Sequence, residues 1–231
     1  MKVAIHQPQY LPWVPYFLKI EASDLFIFLD TVDFQKNGVQ NRNKIKTAQG
    51  AQWLTVPVRQ RLGQKIMDTQ INNQSNWRRK HWQAIKQCYS RAPGFLKYQQ
   101  ELENLYSHEW HMLGELNIEL TKLMLKWMGI DTPIVRSSEL KSEGKSSELV
   151  LNLCLEVGAD VYLSGTGGMN YLEESRFSSF GVTIEYAQSI MPSIYPQQNP
   201  KQDFMNDLSA LDIMLNCDES WRSYFPKGVH P

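Results

Sequence analysis

The sequence has no excess of either charge and no long apolar run. Lysine plus arginine and aspartate plus glutamate number 24 each, so no overall field attracts the protein to nucleic acid or to an anionic membrane surface. The opening residues lack the apolar core of a signal peptide, and no stretch approaches the roughly 18 apolar residues of a membrane span. We therefore expect a cytoplasmic protein without a membrane span.

Cysteine is scarce as well, with 3 among 231 residues. Cys88, Cys154 and Cys217 lie far apart and form no CxxC pair, which argues against a disulfide framework and against a cysteine zinc site. Cys88 and Cys154 lie within helical patterns, where they act as small apolar fillers. We expect reduced, mostly buried thiols.

Short apolar runs alternate with longer amphipathic segments along much of the chain. This alternation predicts an α/β protein with a mainly parallel sheet, flanking helices and one domain over residues 1–231. Strands are predicted at residues 3–5, 25–29, 53–58, 132–137, 161–163 and 182–186. Helices are predicted at residues 11–22, 145–157, 170–176 and 207–215, and residues 40–46 are predicted as a loop.

A helical block at residues 75–129 interrupts this alternation. Apolar residues recur at spacings of three and four through the block, which is too long for a simple crossover. We predict a helical insertion or subdomain that either closes over the site or forms the interface of a homo-oligomer. Arg78, Arg79 and Lys80 lie among tryptophans, but the periodicity turns the aromatic residues toward a core, so we predict no nucleic-acid partner. His108 and His111 lack the further convergent ligands that a metal needs, and we predict no metal site.

Polar residues follow three of the predicted strands at the point where each strand ends. His6 follows the first strand, Asp30 the second, and a glycine-rich turn the fifth. Ligands of open α/β sheets bind outside the carboxyl ends of the strands. We therefore predict one cleft at this edge, with His6 and Asp30 as its catalytic residues. A satisfied core histidine is the alternative for His6.

Further residues complete the predicted site. Arg42 has a planar fork that suits a phosphate or a carboxylate. The turn has glycines that let its backbone approach a phosphate, although a simple tight turn fits it equally well and it matches neither GxGxxG nor the P-loop. The predicted substrate contacts are Gln7, Tyr10, Asp33, Gln40, Asn41 and Arg42, and the predicted phosphate contacts are Ser164, Gly165, Thr166, Gly167 and Gly168.

Five motifs occur in order along nearly the whole chain, namely HQPQYLPW, LDTVDFQK, QNRNKIK, LSGTGGMNYL and NDLSALDIMLNC. Together they resemble the WbqC-like protein family. That family is known mainly from gene clusters for O-antigen and other surface polysaccharides. The resemblance implies an enzyme that modifies a sugar for lipopolysaccharide biosynthesis.

Three functions remain open. The chain begins with a strand that ends in His6, then a helix, then an apolar strand that ends at LDTVDF. This order resembles the start of nucleotidyltransferase-like ligases such as pantothenate synthetase. That likeness implies a ligase that joins a carboxylate to the amine of a small-molecule substrate, a nucleotide-linked amino sugar. It also implies ATP with magnesium as cofactors, His6 as a stabiliser of phosphate charge, and Asp30 or Asp33 as the group that orients an amine or the magnesium ion. The second function is an acyl or aminoacyl transferase in which His6 is the general base. The third is a non-catalytic scaffold protein of a polysaccharide assembly complex, docked through the helical block.

Overall fold

The computed structural model describes residues 1–226 and divides them between a five-stranded sheet, a separate hairpin and seven α-helices. In chain order the elements are β1 (Lys2–His6), α1 (Val14–Glu21), β2 (Leu25–Phe28), β3 (Arg42–Thr47), β4 (Gly50–Thr55), α2 (Trp77–Tyr89), α3 (Phe95–Ser107), α4 (Leu113–Met128), β5 (Ile134–Arg136), α5 (Ser146–Glu156), β6 (Val161–Gly165), α6 (Glu174–Ser179), β7 (Thr183–Ala187) and α7 (Ala210–Cys217).

The main sheet is parallel throughout, with the strand order β5-β2-β1-β6-β7. The chain places β2 and β5 on one side of β1 and then returns to place β6 and β7 on the other. This confirms the predicted α/β class. Because the direction of growth reverses between β1 and β6, a crevice opens at their carboxyl ends, which is where ligands of such sheets bind.

Both faces of the sheet are covered, as the apolar runs of β1 and β2 require. Ala4 and Phe26 point to a core formed with α1, α2, α3, α4 and α7. Val3, Ile5 and Ile27 point to the opposite core, which α5 closes. This alternation along each strand fixes β1 between two hydrophobic layers, so its carboxyl end is held rigidly.

The three helices α2, α3 and α4 fill the predicted helical block. Trp77, Ile85 and Leu116 pack into the same hydrophobic cluster as Ala4 of β1. A role of the block as a cover or as an oligomer interface stays a prediction. Within residues 1–226 no helix is long and apolar enough to cross a membrane.

Two local predictions were wrong. The stretch predicted as a loop contains β3, which pairs antiparallel with β4, from Arg42 opposite Thr55 to Thr47 opposite Gly50, and not with the main sheet. Its polar residues find distant partners: Lys46 donates to Gln197 Oε1 and to the Asp203 carbonyl, each at 3.0 Å. The helix predicted at residues 170–176 is divided into a 3₁₀ turn at Thr166–Asn170 and α6.

Candidate active site at the β1 and β6 ends

A cavity of about 260 Å³ lies at the carboxyl ends of β1 and β6, at the point where the sheet reverses. Strand β1 and its exit contribute His6 and Gln7, while α1 contributes Lys19. Strand β6, its turn and the following segment contribute Ser164, Gly165, Gly167, Gly168 and Tyr171. The structure thus brings His6 and Ser164 together, and Leu29 after β2 also lines the cavity, whereas Asp30, the next residue, does not.

His6 lies partly exposed beside Tyr16, with the two ring centroids 5.0 Å apart. Its Nδ1 atom is buried and finds no hydrogen-bond partner within residues 1–226. Burial, assisted by the charge of Lys19, lowers the pKa of His6 to about 3. The imidazole is therefore neutral at physiological pH, which suits it to hydrogen bonding with a ligand more than to accepting a proton.

Lys19 is the lysine of this cavity, and sequence reasoning did not predict it as a site residue. Its side chain is only 5% exposed, and its Nζ donates to the Ile5 carbonyl at 2.9 Å. Burial lowers the pKa of Lys19 to about 7. In the structure Lys19 lies in a helix whose positions from Val14 to Ile20 are all buried, so the helix offers it no solvated face.

Gln7 is held in place from the loop between β2 and β3. Its Oε1 accepts from Gln40 Nε2 at 2.7 Å, and the Oε1 of Gln40 accepts from the Gln35 amide at 2.7 Å. Gln40 is itself 1% exposed and does not line the cavity. Gln40 therefore supports the site by orienting the side chain of Gln7.

The glycine-rich turn closes the cavity from the β6 side. At Gly168 an added Cβ would lie 2.1 Å from Ser164 Oγ and 2.7 Å from Leu172 Cδ1, so a larger residue there requires both side chains to move. At Gly165 and Gly167 the same Cβ would meet nothing within 4 Å, and both glycines face the cavity. Their missing side chains keep the cavity open, whereas Thr166 is exposed and lies outside the lining.

Asp30 occupies the other half of the same sheet edge and does not line this cavity. Its buried carboxylate accepts four hydrogen bonds, from Arg136 Nε at 2.9 Å, Ser137 Oγ at 2.9 Å, the Ser138 amide at 3.0 Å and Ser138 Oγ at 2.8 Å. These bonds tie the end of β2 to the segment after β5. A second cavity, of about 620 Å³, opens beside this cluster and is lined by Thr31 and both serines.

The other predicted contacts lie away from the cavity. Tyr10 is buried and hydrogen-bonded to His81 Nδ1 at 2.8 Å and to the Tyr106 hydroxyl at 2.7 Å. The exposed Asp33 forms a backbone bridge with Lys65.

Two predicted substrate contacts near the start of the β3–β4 hairpin also lie outside the cavity. Asn41 is buried and donates to the Val56 carbonyl at 3.1 Å. Arg42 stacks over Trp53, with its guanidinium carbon 4.4 Å from the ring centroid.

The lining residues offer chemistry for an anionic group. Lys19 supplies a donor, and the first amides of the 3₁₀ turn have no partner within the turn itself. A volume of about 260 Å³ is below that of most pockets for drug-sized ligands, so the cavity has room for a small group only. In the described part of the chain, no group of three or more His, Cys, Asp or Glu is placed to hold a metal ion.

The comparisons with known proteins agree with the motifs. A model of the WbqC-like protein family matches residues 7–224. The uncharacterized protein Rv1507c of Mycobacterium tuberculosis is 36% identical over 188 residues, which is 80% of this chain and 81% of that protein. No solved structure matches the chain.

Proposed function

The chain belongs to the WbqC-like protein family, and from this premise we propose that it is an enzyme of bacterial surface polysaccharide biosynthesis. In this proposal it transfers or ligates an acyl or aminoacyl group onto the amine of an amino sugar nucleotide. The reaction takes place at the cavity between the ends of β1 and β6.

One observation carries the proposal: the cavity contains buried polar atoms whose hydrogen-bonding capacity is unused. Buried polar groups in folded proteins nearly always have partners. Six buried side-chain atoms have no partner within residues 1–226, and of these the Nδ1 atom of His6 belongs to a residue that lines the cavity. Lys19 has a single carbonyl partner there. Such groups at the switch point of a parallel sheet favour a small-molecule ligand over a purely structural role.

The lining residues have roles that suit acyl transfer to an amine. In that reaction the amine nitrogen attacks the acyl carbon and negative charge develops on the acyl oxygen. The bond from the acyl carbon to the leaving group of the donor then breaks, and the proton lost by the amine passes to that leaving group or to solvent. Hydrogen-bond donors fixed before the reaction stabilise that charge. The proposal is supported by His6 and Gln7, which line the cavity, and by the hydrogen bond from Gln40 to Gln7.

The low pKa of His6 bears on the choice of mechanism. A group whose pKa is about 3 is a weak proton acceptor at neutral pH, because general bases work best with a pKa near the working pH. We therefore assign His6 to substrate contact within this proposal. ATP, in the ligase form of the reaction, supplies activation of the carboxylate when it is bound.

Thermal unfolding of the purified protein tests the proposal. The panel contains ATP with magnesium, a uridine diphosphate amino sugar and acyl-CoA, and each compound that binds the folded state raises the unfolding midpoint by mass action. We expect the amino sugar nucleotide to stabilise the wild type and the His108→Ala control, in which an exposed histidine is removed, but not His6→Ala.

The second ligand separates the two reactions. Stabilisation by ATP with magnesium favours the ligase, and stabilisation by acyl-CoA favours the transferase. The proposal of an enzyme with its site at this cavity is refuted if no compound raises the unfolding midpoint of the wild type. It is also refuted if each compound raises the midpoint of His6→Ala as much as that of the wild type. In that event a search for a protein partner tests the scaffold alternative.

A further inference from the structure

Lys19 is a buried amine whose surroundings contain no counter-charge. Its Nζ donates to the Ile5 carbonyl at 2.9 Å, one residue before His6 on β1. Neither aspartate nor glutamate lines the cavity in the described part of the chain. An isolated ammonium in an apolar environment is strongly destabilising unless it is paired.

The other titratable groups at the cavity are all neutral near pH 7. His6 from β1, Tyr162 from β6 and Tyr171 from the segment after the turn line the cavity with Lys19, and Tyr16 of α1 packs against His6. Burial lowers the pKa of His6 to about 3 and raises the pKa of each of the three tyrosines. None of them balances an ammonium at neutral pH.

A second buried lysine has a hydrogen-bond network that includes an acidic residue. Lys46 is 1% exposed and donates to Gln197 Oε1 and to the Asp203 carbonyl. Gln197 in turn donates to the carboxylate of Asp212 at 2.9 Å. The network around Lys46 thus contains an acid, whereas the network around Lys19 does not.

We propose that the cavity receives an anionic oxygen group of the substrate, a carboxylate or a phosphate, and that Lys19 is the positive charge that binds it. The inference rests on the proposed function, since it specifies which chemical end of the substrate enters between β1 and β6. Gly165 and Gly167 leave space at the opposite wall, so the anion lies between the amine and the turn.

Proton uptake follows from this arrangement. With a pKa of about 7 in the empty protein, the amine is largely uncharged at about pH 8.5. A bound anion stabilises the ammonium and raises the pKa of Lys19. Binding therefore takes up close to one proton at about pH 8.5 and close to none at about pH 6, and affinity falls as pH rises above 7.

The test compares inorganic phosphate, acetate and chloride at matched ionic strength. Thermal unfolding of the wild type, Lys19→Met and the surface control Lys2→Met is followed at about pH 7 against the concentration of each salt. We expect phosphate or acetate to raise the midpoint of the wild type and of Lys2→Met beyond the effect of chloride, and at least tenfold weaker binding in Lys19→Met. Stabilisation by phosphate but not acetate identifies the bound group of the substrate as a phosphoryl group. Stabilisation by acetate but not phosphate identifies it as a carboxylate.

Calorimetry of the wild type keeps the inference testable if Lys19→Met does not fold. Titration in two buffers of different ionisation heat measures the protons taken up, and uptake that stays near zero at about pH 8.5 overturns the inference. The inference is also overturned if neither phosphate nor acetate raises the unfolding midpoint of the wild type more than chloride does.

The two proposals fail in different ways. A folded Lys19→Met variant that binds the uridine diphosphate amino sugar as tightly as the wild type overturns the role of Lys19 and leaves the proposed function intact. If the wild type binds phosphate through Lys19 but binds no compound of the nucleotide and acyl panel, the role of Lys19 stands and the proposed function is overturned.

Discussion

The carboxyl edge of the parallel sheet carries two buried polar clusters that differ in how completely their groups are paired. At the ends of β2 and β5, the carboxylate of Asp30 accepts four hydrogen bonds. At the ends of β1 and β6, His6 Nδ1 has no partner within the described residues and Lys19 has one carbonyl. Both clusters follow strands and both contain charged residues, so burial and charge alone do not mark a site.

The difference indicates separate roles for the two clusters. A fully paired carboxylate stabilises the junction that it spans, because removing any partner leaves a buried group unsatisfied. A cluster with unused capacity is stabilised when a ligand supplies the missing partner. We therefore interpret the Asp30 cluster as structural and the His6 and Lys19 cluster as the ligand site.

The largest expected effect is the loss of the Asp30 carboxylate. Asp30→Ala leaves Arg136 and two serines without their acceptor, and breaking a buried ion pair of this kind destabilises by about 3–5 kcal/mol. Urea unfolding measures the change. The matched control is Asp33→Ala, which removes an exposed carboxylate and should change stability by no more than about 0.5 kcal/mol. Equal effects from the two variants would contradict a structural role for Asp30.

The next effect is the pH dependence caused by Lys19. Its pKa falls from 10.5 to about 7 on folding, so between these values the unfolded state binds more protons than the native state. Stability should therefore rise with pH from about 7 to 10.5, on the order of a few kcal/mol in total.

Lys19→Met should lack this rise and be more stable than the wild type at pH 7. Urea unfolding at about pH 7 and pH 9.5 measures both effects. The pKa of His6 is lowered from 6.5 to about 3, so its own contribution lies at lower pH and does not overlap. An identical rise in the variant and the wild type would show that Lys19 is not the group that titrates.

A smaller effect on stability distinguishes Gly168, whose Cβ position is occupied by side chains, from Gly167, whose Cβ position is open. Gly168→Ala forces a Cβ against Ser164 Oγ and Leu172 Cδ1, and such overpacking destabilises by about 1–3 kcal/mol. Gly167→Ala meets no protein atom within 4 Å, so it should leave stability nearly unchanged while its methyl group weakens ligand binding. Thermal unfolding with and without ligand measures both changes. Weaker ligand binding in Gly168→Ala alone would place the ligand away from Gly167.

The smallest expected effect concerns the support of Gln7 by Gln40. A double-mutant cycle with Gln7→Ala and Gln40→Ala should give a coupling energy of about 1 kcal/mol for the hydrogen bond between the two side chains. Urea unfolding of the four proteins provides the cycle. Strict additivity would show that Gln40 does not orient Gln7.

The meeting of His6 with the glycine-rich turn was predictable from the sequence. Both follow strands of a parallel sheet, and β1 pairs directly with β6, with Lys2 opposite Val161. The environment of Asp30 was not predictable in the same way. It depends on β5 pairing with β2, with Phe28 opposite Arg136, which brings in donors from more than 100 residues away.

Lys19 and β3 escaped prediction for a shared physical reason. A lysine usually indicates a solvated face, and a run such as QNRNKIK usually indicates a loop. In this protein a backbone carbonyl satisfies part of Lys19, and the C-terminal segment satisfies Lys46. Long-range hydrogen bonds of this kind leave no trace in local sequence periodicity.

Hydrogen–deuterium exchange with bound ligand tests the central claim most directly. The probes are inorganic phosphate and, separately, the uridine diphosphate amino sugar, each compared with the ligand-free protein. We expect slower exchange at residues 5–7 and 164–172, which border the β1 and β6 cavity, and unchanged exchange at residues 136–144, which border the Asp30 cluster. Slower exchange at residues 136–144 with no change at residues 164–172 would contradict the assignment and move the ligand site to the ends of β2 and β5.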